Sequence, residues 1–237
     1  MENELFFIFF VIVSYYIYVY SFKRGMPTCN NYVTNNYLYL TLSILYIYII
    51  VYNFPTYIHY SWTAFFIGLV LLTAMMFLFP KDKTSVFINH VLWISFLTCI
   101  SFMLLPIVYF YDRTMIIQSL LSVASIFLFM SLIVYLYPEV FKNTINFMYP
   151  ALFISLILII LIEVYYLFII GNYPKKDYRY ISYFVIIIFS LYISYDTYAM
   201  LEEAKYCVKY ANYPKSSLKF LLDLVNLFVR HLTLTNS

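Results

Sequence analysis

The chain has 237 residues, of which 65% are hydrophobic and only 11% charged, with a net charge of +3. A soluble domain carries about a quarter charged residues, and disorder needs low hydrophobicity with high net charge, so both classes are excluded. The small positive charge is spread over many loops and forms no basic patch of the kind that binds nucleic acid.

A membrane-crossing helix needs about 20 mainly apolar residues, and eight apolar segments fill this chain. Helices are expected throughout, because backbone exposed to a bilayer must satisfy its own hydrogen bonds. Barrel strands would show a ten-residue alternation, whereas these runs are continuous. The excess of Tyr (29) and Phe (24) points to the codon bias of an AT-rich genome, viral or protozoan, and says little about function.

The first segment, Leu5–Phe22, follows an acidic start (Glu2, Glu4) and precedes no small-residue cleavage site. It reads as an uncleaved span rather than a signal peptide. Lys23-Arg24-Gly25 ends it. The second, Asn36–Phe54, stops before Pro55, and the third, Ser61–Pro80, stops at Pro80-Lys81-Asp82-Lys83. The fourth, Val86–Tyr111, contains Pro106, which is expected to kink it. A short Asp112-Arg113 turn leads to the fifth, Thr114–Tyr137, which ends at Pro138-Glu139. The sixth is Phe147–Gly171. Pro174-Lys175-Lys176-Asp177 separates it from the seventh, Tyr178–Met200, and the eighth is Ser217–Leu234. With three glycines in the chain, Ser and Thr are expected at helix contacts rather than a glycine zipper.

Lys and Arg in short loops set orientation. With the amino terminus lumenal, the cytosolic side holds Lys23, Arg24, Lys81, Lys83, Lys142, Lys205, Lys209, Lys215 and Lys219. The other side holds Arg113, Lys175, Lys176 and Arg179, so the bias is nine to four. It puts the 201–216 loop in the cytosol. The three cysteines, Cys29, Cys99 and Cys207, lie far apart and match no C-x-x-C pattern. Neither a disulfide framework nor a zinc site is expected from them.

Three carboxylates, Glu163, Asp196 and Asp223, fall inside apolar segments. Each costs about 2.5–3.5 kcal/mol at a helix centre, which makes it a candidate functional group. Asp196 lies near the end of the seventh segment and Asp223 near the start of the eighth. Two antiparallel neighbours then hold them at similar depth, and in contact they share a proton and titrate as a unit. Lys219, Asp223, Asn226 and Arg230 recur at spacings of four, three and four, on one face of the eighth segment. Such a stripe belongs in a bundle or along a water path. The plainer alternative pairs Asp223 with Lys219 or Arg230 and merely orients the helix. Glu163 sits deep in the sixth segment. There a protonated carboxyl bonded to a neighbour such as Tyr165 or Tyr166 competes with a second cation or proton station. The histidines His59, His90 and His231 have no metal-ligand spacing, and no phosphate loop or nucleophile motif is present. No catalytic residue, cofactor or bound metal is expected, and the chain reads as a non-enzyme.

Ser-Tyr-Asp-Thr-Tyr (194–198), a polar loop, and then Tyr-Pro-Lys-Ser-Ser-Leu-Lys-Phe-Leu-Leu-Asp-Leu-Val-Asn-Leu-Phe (213–228) resemble the carboxyl-terminal signature of the Bax inhibitor family. This is also called the transmembrane Bax inhibitor motif family. There an Ile-Tyr-Asp-Thr helix end precedes a last helix reading roughly Leu-Tyr-Leu-Asp-Ile-Ile-Asn-Leu-Phe. Tyr109-Phe110-Tyr111-Asp112 with Gln118 downstream resembles the Phe-Tyr-Asp turn and Gln of the Golgi anti-apoptotic subgroup, its poxviral members included. The resemblance covers about Asn36 to Leu234 and orders segments two to eight onto the family's seven helices.

The resemblance implies an all-α integral membrane protein. Residues 36–237 form a seven-helix Bax-inhibitor-like domain, and residues 1–35 add an extra transmembrane segment and loop. It implies a multi-pass protein of ER or Golgi membranes, host membranes if the source is viral. The implied function is a pH-sensitive leak of store calcium and inhibition of apoptosis. Calcium is then a permeant ion rather than a cofactor, and the partners are the lipid bilayer, other membrane proteins or a second copy. Asp196 and Asp223 match the family's paired aspartates, thought to be a pH-sensing latch on the pore. Glu163, Asn226, Arg230, Lys219 and Lys81 are the supporting candidates. The chain departs from the pattern at its extra first segment. The subgroup's third-helix acid has no counterpart, since the stretch near Cys99 and Ile100 is apolar. The basic partner late in the second family helix is missing unless Lys81 serves. These departures favour an alternative, a non-conducting membrane protein that keeps the fold and binds other membrane proteins. A receptor or small transporter of another class would show polar groups in several helices or an inverted repeat, and neither is found.

Overall fold

The computed structural model describes residues 2–54, 59–166, 175–207 and 210–235. Among the described residues are eight helices and one short hairpin. The helices are α1 (Glu2–Ser21), α2 (Tyr32–Asn53), α3 (Ser61–Phe77), α4 (Lys83–Phe110), α5 (Arg113–Leu136), α6 (Pro138–Tyr165), α7 (Lys175–Tyr206) and α8 (Tyr213–Thr235). All but α3 and α8 are long and apolar enough to cross a membrane, which makes six such helices among the described residues. The protein is an all-α, multi-pass membrane protein, in agreement with the hydropathy reading.

The differences from the sequence reading have local causes. Lys23-Arg24-Gly25 is a hairpin turn as well as a stop: β1 (Phe22–Lys23) pairs antiparallel with β2 (Met26–Pro27). Helix α6 starts at Pro138, nine residues before its apolar run, because proline suits the first helical position. Its first turn carries the exposed pair Lys142–Glu139 at 3.5 Å. Helix α7 continues past Met200 to Tyr206 through Glu-Glu-Ala-Lys, all good helix formers. Helix α4 runs through Pro106, and Asp82 and Ser85 close a reciprocal cap at its start. Helix α8 has buried residues on its apolar side, such as Leu218 and Leu227, and on its polar side, such as Asp223.

The chain divides into two compact units. The first comprises Met1–Asp112 and Glu202–Leu221, and the second Arg113–Leu201 and Leu222–Ser237. In the first unit α1 lies on α2 through Phe6 and Tyr48, with ring centroids 4.3 Å apart. Helix α3 approaches α4 closely at Gly68, where an added Cβ would stand 3.4 Å from that of Cys99. The core is aromatic: Tyr39 stacks on Tyr213 at 5.4 Å and tilts against Trp93 at 5.4 Å. All three rings are buried. Burial of such side chains contributes roughly 1.5–3 kcal/mol each.

The second unit is assembled from α5, α6, α7 up to Leu201 and α8 from Leu222. Its helix contacts use hydroxyls, as the scarcity of glycine predicts, and aromatic rings besides. Ser131 on α5 meets Thr197 on α7 at 3.2 Å. Ser119 on α5 meets His231 on α8 at 3.4 Å. Tyr149 on α6 lies 5.7 Å from Tyr195 on α7.

Candidate functional site

The second unit holds Asp196 and Asp223. Asp196 stands ten residues before the last residue of α7, and Asp223 ten residues after the first of α8. That is about 15 Å of helical rise in each, so the two acids sit deeper than the apolar runs alone suggest. Both are buried, at 8% and 5% exposure. They lie within electrostatic reach of each other, and Tyr192, one turn before Asp196, lies within reach of both. Oδ2 of Asp223 is buried without a hydrogen-bond partner among the described residues. Around them Ser194 and Thr197 are fully buried on the same helix. A desolvated pair of like acids next to hydroxyls binds protons or a cation far more readily than an isolated surface carboxylate.

The other candidates fall into three groups. Glu163 and Arg230 are brought together: Arg230 Nη2 donates to Glu163 Oε1, and the Arg230 guanidinium lies 5.8 Å from the Tyr178 ring centre. Glu163 stands two residues before the end of the described part of α6, and the rest of the expected sixth segment, 167–171, lies outside the described residues. Asn226 turns its amide back to the Leu222 carbonyl of its own helix at 2.8 Å. Lys219 and Lys81 belong to the first unit. Lys219 donates to Glu203 Oε1 at 2.8 Å, and Lys81 is an exposed residue whose N–H donates to Ser85 Oγ at 2.8 Å. The stripe on α8 therefore sends Lys219 and Arg230 to other carboxylates.

Several groups escaped the sequence reading. Glu203, in the stretch whose polarity predicts a loop, gathers Lys219, Tyr32 at 2.9 Å and Ser216 at 3.3 Å, joining α7, α8 and α2 at one end of the first unit. At the same end Asn212 donates to the Leu78 carbonyl at 3.2 Å and accepts from Asn89 at 2.6 Å. The expectation of no disulfide is overturned. Cys29 and Cys207 are bonded, with Cα atoms 5.7 Å apart, across 178 residues of sequence. No spacing rule reaches that far, because the tertiary fold sets such a pairing. Cys99 is free and buried.

One family model matches the chain over most of its length. The family model described as "Inhibitor of apoptosis-promoting Bax1" matches residues 29–237. It takes in Cys29 and α2 through α8 and leaves α1 and the hairpin outside. A search of curated proteins gives no significant match.

Proposed function

Because the chain belongs to the Bax inhibitor family, we propose that it is an ER or Golgi protein that lets calcium leak from stores in a pH-dependent manner and so inhibits apoptosis. The observation that carries this reading is the buried acid pair, Asp196 and Asp223, within electrostatic reach of each other. Close carboxylates take up and release a proton as a pair. Proton uptake then changes the charge facing a permeant cation, with no catalysis and no cofactor. A slow leak suffices, because the gradient acts continuously against the pump. A smaller store delivers a smaller calcium pulse to mitochondria when release is triggered. The subgroup resemblance at Tyr109–Asp112 supports the Golgi assignment and a viral origin.

A second reading is a non-conducting protein that regulates other membrane proteins of its host. It is favoured by Cys99 and Ile100, buried and apolar where the subgroup carries an acid. Reconstitution of the full chain into liposomes loaded with a calcium dye separates the two. The leak reading expects flux that varies with pH, and loss of that variation in Asp196→Asn and Asp223→Asn. No flux, together with protection of cells at unchanged store calcium, selects the second reading.

A further inference from the structure

We propose that the groove between the end of α1, the β1–β2 hairpin and the start of α4 binds the phosphate headgroup of an anionic membrane lipid. The groove has a volume of about 620 Å³ and is lined by Tyr18, Val19, Phe22, Arg24, Gly25 and Lys83. Two of these six are cations and none is an acid. Neither Arg24 nor Lys83 has an ion-pair partner among the described residues. The neighbouring Asp82 carboxylate is committed to the helix cap, accepting from the Ser85 N–H at 2.7 Å.

The hairpin supplies an independent observation. Its two-residue turn has φ 55° at Arg24 and φ 79° at Gly25. Turns with two positive φ values take Asn-Gly or Asp-Gly by preference, and a residue with a long side chain in this region is strained. An arginine kept at a costly turn position is explained if its side chain has a task. The Lys83 stem passes beside the turn, with its Cε 3.6 Å from where a Cβ on Gly25 would stand, so both cations line one groove.

The occupant is a lipid rather than a free anion because of the remaining walls. Tyr18 and Val19 belong to the last turn of an apolar helix, and Tyr is favoured at the membrane–water boundary. Those residues offer apolar contact for an acyl chain in the same groove as the two cations. Basic pockets between transmembrane helices hold anionic headgroups. The groove is built largely from α1 and the hairpin, the part of the chain outside the family match.

Native mass spectrometry of the full chain in detergent tests this, with phosphatidic acid and phosphatidylcholine of identical acyl chains as probes. The chain should prefer phosphatidic acid, and Arg24→Asn with Lys83→Gln should reduce that preference at least tenfold. Asn suits the turn better than Arg, so the fold is kept. Lys142→Gln, which removes a charge elsewhere, should leave the preference unchanged. Equal binding of the two lipids, or an unchanged preference in the double variant, overturns the proposal. Displacement of the lipid by millimolar glycerol phosphate or inorganic phosphate overturns the lipid assignment in favour of a soluble anion.

Discussion

Arg230 on α8 binds the carboxylate of Glu163 on α6, and both side chains are largely removed from solvent, at 14% and 27% exposure. A charge left alone at such a site loses its hydrogen bond and keeps its desolvation cost. Glu163→Gln and Arg230→Gln should each lower stability by about 2 kcal/mol. The combined variant should cost clearly less than the two together, because the second change removes the orphaned charge. Thermal unfolding in detergent measures this. Strict additivity would mean that the pair carries no coupling.

The acid pair behaves in the opposite sense. Asp196 and Asp223 are like groups in a buried place, within electrostatic reach of each other. Asp196→Asn and Asp223→Asn keep the shape and remove one charge. At neutral pH each should leave stability within about 1 kcal/mol of the parent, or raise it. If calcium flux changes while the melting temperature does not, the pair acts in conduction. A large fall in melting temperature would instead make one of the carboxylates a structural anchor.

The contrast between these two sites also marks what was legible in the sequence. All eight segments became helices, because a continuous apolar run permits little else in a bilayer. Asp196 and Asp223 were visible as costly charges in apolar company, and their matched distance from the intervening loop survived the extension of α7. Glu163 was visible too, but not its partner: Arg230 lay on the same stripe as Asp223, and helical spacing cannot say which neighbouring helix offers the counter-charge. Glu203 was hidden by its place in a polar stretch that continues α7. The Cys29–Cys207 bond was hidden because its partners meet only after six helices are laid down. Turn chemistry was half legible, since Arg24-Gly25 announced a break but not a strand pair.

Asp82 gives a pH effect outside the spans. Its carboxylate accepts from the Ser85 N–H and the Ser85 hydroxyl bonds back, which holds the Asp82 carboxyl below the usual carboxylate range. A group with a depressed folded value stabilises the fold above its unfolded value, about pH 4. That contribution is lost as pH falls through the folded value. The first turn of α4 should therefore hold at neutral pH and open in acid. Hydrogen exchange at Ser85 and Val86, corrected for intrinsic rates, should show protection falling below about pH 4. Asp82→Asn should keep a cap without that pH dependence, and Asp82→Ala should lose protection at every pH. A flat profile in the parent would assign the protection to other contacts.

The Cys29–Cys207 bond makes a demand on topology that hydropathy does not. Its two ends lie on one side of the membrane, so the helices between them cross an even number of times. Helices α2, α4, α5, α6 and α7 qualify by length, which is five, and five crossings would put the cysteines on opposite sides. Helix α3, with 17 residues and about 25 Å of rise, supplies the sixth. The contacts at its end agree: the Leu78 and Met76 carbonyls accept from Asn212 and Lys215, close in sequence to Cys207. Accessibility tags at Phe79 and Tyr210 should therefore report one side, and tags at Tyr60 and Asp112 the other. The basic bias predicts that the Phe79 side is cytosolic. A disulfide does not persist in a reducing cytosol, so thiol trapping in intact cells should find Cys29 and Cys207 reduced. Purification in air should close the bond, with a gain of about 2–4 kcal/mol in stability. Phe79 and Tyr210 on different sides would remove α3 from the crossing helices. A fully bonded chain in trapped cells would turn that face toward an oxidising lumen and overturn the orientation drawn from the lysines and arginines.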